Sequence, residues 1–148
     1  MPGFVFNLQS VLDLRLQAEE QRRREMAEVL RLKLKLEEQL RGMQQSLNQS
    51  RHALTGGLVG RVDLAQVAQF TRYQAQVRLR AQGLVIKLAA VEQAIERSRA
   101  ALVHASRDRR ALELLRDRRR EAWMREQERR AAAELDALAL QRHLAARS

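Results

Sequence analysis

Cysteine is absent from the 148 residues, so neither a disulfide framework nor a thiolate metal site is available. Proline occurs once, at Pro2, and aromatic residues make up 3% of the chain. That scarcity argues against a conventional globular core. No apolar run approaches the roughly 20 residues needed to span a bilayer. The opening Met1-Pro2-Gly3-Phe4 has no basic stretch followed by an apolar one. No secretory signal is therefore expected, and a cytoplasmic protein is the default reading. Lysine is almost missing too, with only Lys33, Lys35 and Lys87.

Ala, Leu, Arg, Glu and Gln dominate what remains, and these residues lose little rotamer freedom in a helix. Charged residues make up 31%, and the formal net charge is +10. Most of the positive charge is Arg, whose planar fork suits carboxylate and phosphate. Such a balance permits acidic proteins, nucleic acid or an anionic membrane surface as partners and does not choose among them.

The apolar residues have a coiled-coil period. Stepping alternately by three and four, one seam reads Val5, Leu8, Leu12, Arg15, Glu19, Arg22, Met26, Val29, Lys33, Leu36, Leu40, Met43 and Leu47. Nine of these thirteen positions are apolar, which predicts a helix over about 7–53. The pattern stops at the glycines Gly56, Gly57 and Gly60, and a turn is expected over about 55–62. Gly60-Arg61-Val62 lacks the Gly-Lys-Ser/Thr ending of a phosphate-binding loop. Asp63 and Gln66 then form a capping-box pattern, with Val62 and Val67 placed for a hydrophobic staple. A second helix follows over about 63–145. Its seam includes Val67, Phe70, Val77, Ala81, Leu84, Leu88, Val91, Ile95, Leu102, Ala105, Leu112, Trp123, Ala133, Ala137, Leu140 and Leu144. Gly83 marks a candidate kink.

Two striped helices joined by a glycine turn should fold back on each other. The expected fold is all-α: a long antiparallel two-helix coiled-coil hairpin, one elongated unit over 1–148, with a protruding C-terminal helix. A reversal centred near Gly57 would set residue 8 opposite residue 105. Everything after about residue 110 would then overhang, by about 50 Å at about 1.5 Å per residue. Arg109, Arg116, Arg119, Glu126 and Arg130 interrupt the seam there. The overhang is therefore expected to dock on another protein, because Trp123, Leu135, Leu138, Leu140 and Leu144 would otherwise sit in water.

Catalysis is not expected. His52, His104 and His143 have no partner at metal-ligand spacing, and the serines have no base nearby. A coiled coil also lacks a dry concave pocket in which to shift a carboxylate pKa. No cofactor or metal is expected. Sequence-specific nucleic-acid binding is disfavoured as well. Ten Arg between Arg107 and Arg130 are interleaved with six acidic residues, unlike the purer Lys/Arg run of a basic-region helix.

The opening Phe4-Val5-Phe6-Asn7-Leu8-Gln9-Ser10-Val11-Leu12-Asp13-Leu14-Arg15, with Glu19-Glu20 after it, resembles the start of the flagellar export protein FliJ family. The stretches Arg110-Ala111-Leu112-Glu113-Leu114-Leu115-Arg116 and Glu134-Leu135-Asp136 resemble that family's closing helix. The resemblance implies a soluble component of the flagellar type III export apparatus, similar to the two-helix stalk of rotary ATPases. It implies binding to the export ATPase hexamer and to the membrane export gate, a link to substrate chaperones, and a need for the protein in flagellum assembly and motility, hence chemotaxis. Peripheral association with the cytoplasmic face of the inner membrane would then come through partners. On that footing Phe4, Phe6, Arg116, Arg119, Arg120, Trp123 and Arg130 are candidates for the ATPase ring, and Phe70 and Tyr73 for the gate. The alternatives are the equivalent stalk of a virulence secretion system, a basic nucleic-acid-associated coiled coil, and a coiled coil that dimerises through its overhang.

Overall fold

The computed structural model describes residues 3–57 and 63–148. The expected staple residue Val62 and most of the glycine turn lie outside the described residues. Two helices account for nearly all of the rest: α1, Gln9–Gly57, and α2, Leu64–Arg147. They pack against each other as a helical hairpin with no strand among the described residues.

Local chemistry sets the helix ends. The Gln9 backbone N–H donates to the Phe6 carbonyl at 3.1 Å, closing a turn that leads into α1. Gly3 to Phe6 precede that turn and are not helical. At the other end α1 runs on through Thr55, Gly56 and Gly57. The Thr55 hydroxyl bonds back to the carbonyls of Arg51 and His52 at 3.1 and 3.0 Å, which anchors that last stretch. Asp63 caps α2: its carboxylate accepts from the Ala65 N–H at 3.0 Å, satisfying one of the orphan donors of the first turn. Ser148 closes the chain by donating to the Ala145 carbonyl at 3.1 Å.

Gly83 does not interrupt α2. A Cβ placed there, or at Gly42 of α1, would meet nothing within 4 Å. Glycine in a helix interior costs conformational entropy that alanine avoids. Gly83→Ala is therefore expected to raise the unfolding free energy by about 0.8–1.0 kcal/mol, read from urea denaturation by circular dichroism. A loss of stability instead would mean that the backbone at residue 83 needs a bend.

The contacts gather into two compact units, Met1–Glu20 with Val103–Ser148 (unit 1) and Gln21–Leu102 (unit 2). In unit 2 the core is a cluster of Leu36, Leu84, Val91 and Ile95, with Met26, Val29, Leu40, Met43 and Leu88 against it. Every one of these is a seam position, so the three–four period marks the buried face here. In unit 1, Leu12 is the most deeply buried large side chain, 1% exposed, with Phe6 and Ala105 also buried. Val5, placed on the seam by the period, is 83% exposed, and its neighbour Phe6 is buried instead. The reason is that residues 3–6 are not helical, so a helical period does not describe them.

The register differs from the expectation. Residue 8 was expected opposite residue 105. In unit 1, however, Asn7 meets Arg119, Phe4 meets Trp123 and Arg15 meets Asp108. In unit 2, Lys33 lies 4.0 Å from Glu92. Within each unit the facing pairs lie further along α2 than a reversal centred at Gly57 would set them, and α1 itself continues to Gly57. The stretch from residue 111 to Trp123 is therefore not overhang. Unpartnered helix begins only after Gln127, from which point every residue is exposed.

Candidate protein-binding surfaces

Unit 1 shows how the hairpin tolerates charge on its seam. Glu19 occupies a seam position of α1 and is 6% exposed. Arg109 of α2 reaches across to it with its Nε–H. The same guanidinium donates to Glu113 at 2.6 Å, and Arg110 donates to Glu113 at 3.4 Å. The bond from Arg109 holds the Glu113 carboxyl below the usual carboxylate range against the opposing effect of burial. Bonds to Glu113 and then Glu19 raise the pKa of Arg109. Nearby, Asp108 accepts from Arg15 at 3.3 Å. No buried side-chain polar atom among the described residues lacks a partner. The charged seam is a satisfied layer rather than a defect, and it ties one helix to a defined place on the other.

Four of the seven residues expected to face the ATPase come together in this unit. The rings of Phe4 and Trp123 lie 6.1 Å apart at 53°. The Arg119 guanidinium sits 5.8 Å from the centre of the Phe6 ring and donates to the Asn7 side-chain oxygen. Trp123 and Arg119 were expected on a free overhang. They pack instead against the non-helical N-terminal segment, because the register places that segment beside them. The other three stand apart from this cluster. Arg116 is half-buried, 3.7 Å from Asp117, and Arg120 is exposed. Arg130 donates to Glu126 at 3.0 Å. Glu126 also accepts two bonds from Arg129, both 3.0 Å. These bonds, those from Arg129 first, keep the Glu126 carboxyl below its usual range.

Sequence reasoning missed Asn7 and Glu126. Asn7 carries no apolar signal, and its role appears only once the N-terminal segment is seen folded onto α2. Glu126 was legible as a pair with Arg130 but not as the acceptor for two arginines at once. Beyond it, Leu135, Leu138, Leu140 and Leu144 stand exposed on an unpartnered helix.

In unit 2, Phe70 is half-buried and Tyr73 is exposed. Both line a shallow groove with Ser50, Ala53, Leu54, Gln66 and Gln69, so the structure brings the two aromatics into one surface with the end of α1. No helix among the described residues is long and apolar enough to cross a membrane.

The described residues form a two-helix hairpin with exposed aromatic, cationic and apolar side chains. The family model described as Flagellar FliJ protein matches residues 4–148. The chain belongs to the flagellar FliJ family and is a flagellar export-associated protein, a non-enzymatic export component by family. No curated protein and no solved structure matches it.

Proposed function

We propose that this chain is the stalk-like partner of the flagellar export ATPase hexamer, needed for flagellum assembly and motility. It engages the ATPase through unit 1 and the export gate through the groove of Phe70 and Tyr73, works alongside substrate chaperones, and reaches the cytoplasmic face of the inner membrane through its partners. The observation that carries this reading is the bare helix after Gln127, next to the cluster of Phe4, Phe6, Arg119 and Trp123. At 100° per residue, Ala133, Ala137, Leu140 and Leu144 share one face of that helix, and Ala131, Leu135 and Leu138 lie on the opposite one. A helix apolar on opposite sides is best satisfied when a partner surrounds it, as a ring does, rather than when it lies on a flat surface. Arg120 and Arg130 supply exposed charge for carboxylates lining such a ring.

The test is ATP hydrolysis by the cognate flagellar export ATPase titrated with this protein, with light scattering to detect hexamers. Stimulated turnover and hexamer formation are expected. Arg120→Ala combined with Arg130→Ala is expected to abolish the stimulation with helicity unchanged. Neither binding nor stimulation, at a salt concentration where the chain is helical, would refute the reading.

A further inference from the structure

The bare stretch of α2 after Gln127 carries a short seam of its own. Ala133, Ala137, Leu140 and Leu144 follow the four–three–four alternation of a coiled coil. Leu140 is 60% exposed and Leu144 57%, so nothing within the chain covers it. Its borders are sorted by charge along the helix. At 100° per residue, Asp136 and then His143 lie along one border, and Glu134 and then Gln141 along the other. Both acids thus sit in the first half of the seam. In the second half the borders carry only side chains that can donate to them. Arg142 lies on the opposite face of the helix.

We infer that this seam binds the same seam of a second copy of the chain, running antiparallel, to form a tail-to-tail dimer. Setting Ala137 against Leu140 of the second copy also sets Ala133 against its Leu144. Every layer then joins a large side chain to a small one, so the two helices interlock without voids. The same register brings Asp136 beside His143 of the second copy, and Glu134 beside its Gln141. A two-fold axis repeats each pair, which is the self-complementarity a closed dimer needs. Residue 129 comes level with residue 148 of the second copy, so the overlap coincides with the stretch that α1 leaves bare. Arg147 comes level with Arg130 of the second copy, whose charge Glu126 already takes up.

A parallel pair would stack Ala on Ala and Leu on Leu, in layers of unequal width, and would leave Asp136 and His143 apart. The base it would offer Glu134 is Arg129, which is already held by both oxygens of Glu126. An anionic membrane surface would meet both acids at the edge of the seam. The overlap is about 30 Å long, so the dimer is small and reversible. It stands without the ATPase and gate readings, and it covers one of the two apolar faces of the tail.

The chain has no cysteine, so an introduced one reports a single contact. Full-length Ala133→Cys and Leu144→Cys, one of them carrying a size tag, are mixed and oxidised. The mixed disulfide is expected to dominate, because the two positions share a layer. Position 133 lies about 16 Å from its own counterpart in this arrangement. Ala133→Cys linking mainly to itself would show a parallel pair and overturn the inference. Sedimentation equilibrium of the parent over about 1–200 μM is expected to show a dissociable dimer. Leu140→Ser plus Leu144→Ser should weaken association at least about tenfold. Asp136→Lys should weaken it at least about threefold, and adding His143→Glu should restore it. Leu79→Ser plus Ile86→Ser, in unit 2, should leave it unchanged, and circular dichroism should show every variant as helical as the parent. The inference fails if the parent stays monomeric throughout, if the helical Leu140 and Leu144 variant associates as well as the parent, or if the charge swap restores nothing.

Discussion

Leu36→Ala is expected to lower the unfolding free energy by about 2–5 kcal/mol, while Leu34→Ala changes it by no more than about 0.5 kcal/mol. The two leucines are two residues apart on one helix and chemically identical. Leu36 is 6% exposed at the centre of the cluster formed with Leu84, Val91 and Ile95. Truncating it removes transfer free energy and leaves a cavity that two rigid helices cannot close. Leu34 is 61% exposed, and alanine there is a slightly better helix former. Urea denaturation followed by circular dichroism measures both. Equal losses at the two sites would mean that Leu34 is covered in solution, by a second copy or another surface. Equal tolerance would mean that unit 2 is not held by this seam.

Removing residues 131–148 is expected to abolish stimulation of the export ATPase and to leave unfolding of the hairpin within about 0.5 kcal/mol of the parent. Every residue in that segment is exposed, so its loss takes away no packing. The pair of Arg130 with Glu126 is retained, as are the contacts of Trp123 with Phe4 and Arg119 with Phe6. What disappears is the helix with apolar residues on opposite sides. Full stimulation by the shortened chain would move the ATPase contact onto the Phe4, Phe6, Arg119 and Trp123 cluster. A large loss of stability would mean that the segment has a structural role in the hairpin.

The buried faces were readable because a helix converts linear spacing into direction. From Leu8 to Leu47, ten of the twelve seam positions are buried or half-buried, and the two exposed ones are the arginines Arg15 and Arg22. The period read them without reference to any partner. The candidate site was only partly readable. Phe4, Phe6, Arg119 and Trp123 stood out by residue type, but the expectation put the arginine and the tryptophan on bare helix. Nothing in the seam distinguishes one alignment of the two helices from another a few heptads away, since each brings Leu and Ala against Leu and Ala. Nor does charge composition tell which arginines are neutralised. The C-terminal stretch looked the more basic, yet it is the half in which arginines find carboxylates one turn away.

Sequence alone therefore determined two long helices, the face each one buries, the family the opening motif belongs to, and the absence of thiol chemistry. These follow from local spacing and residue type, which do not depend on what lies opposite. Only the tertiary structure decided the register, and with it where the free helix begins. Register is set by contacts between residues distant in sequence, such as Arg109 on Glu19, Arg15 on Asp108 and Arg119 on Asn7. Their energies exist only once the two helices are side by side.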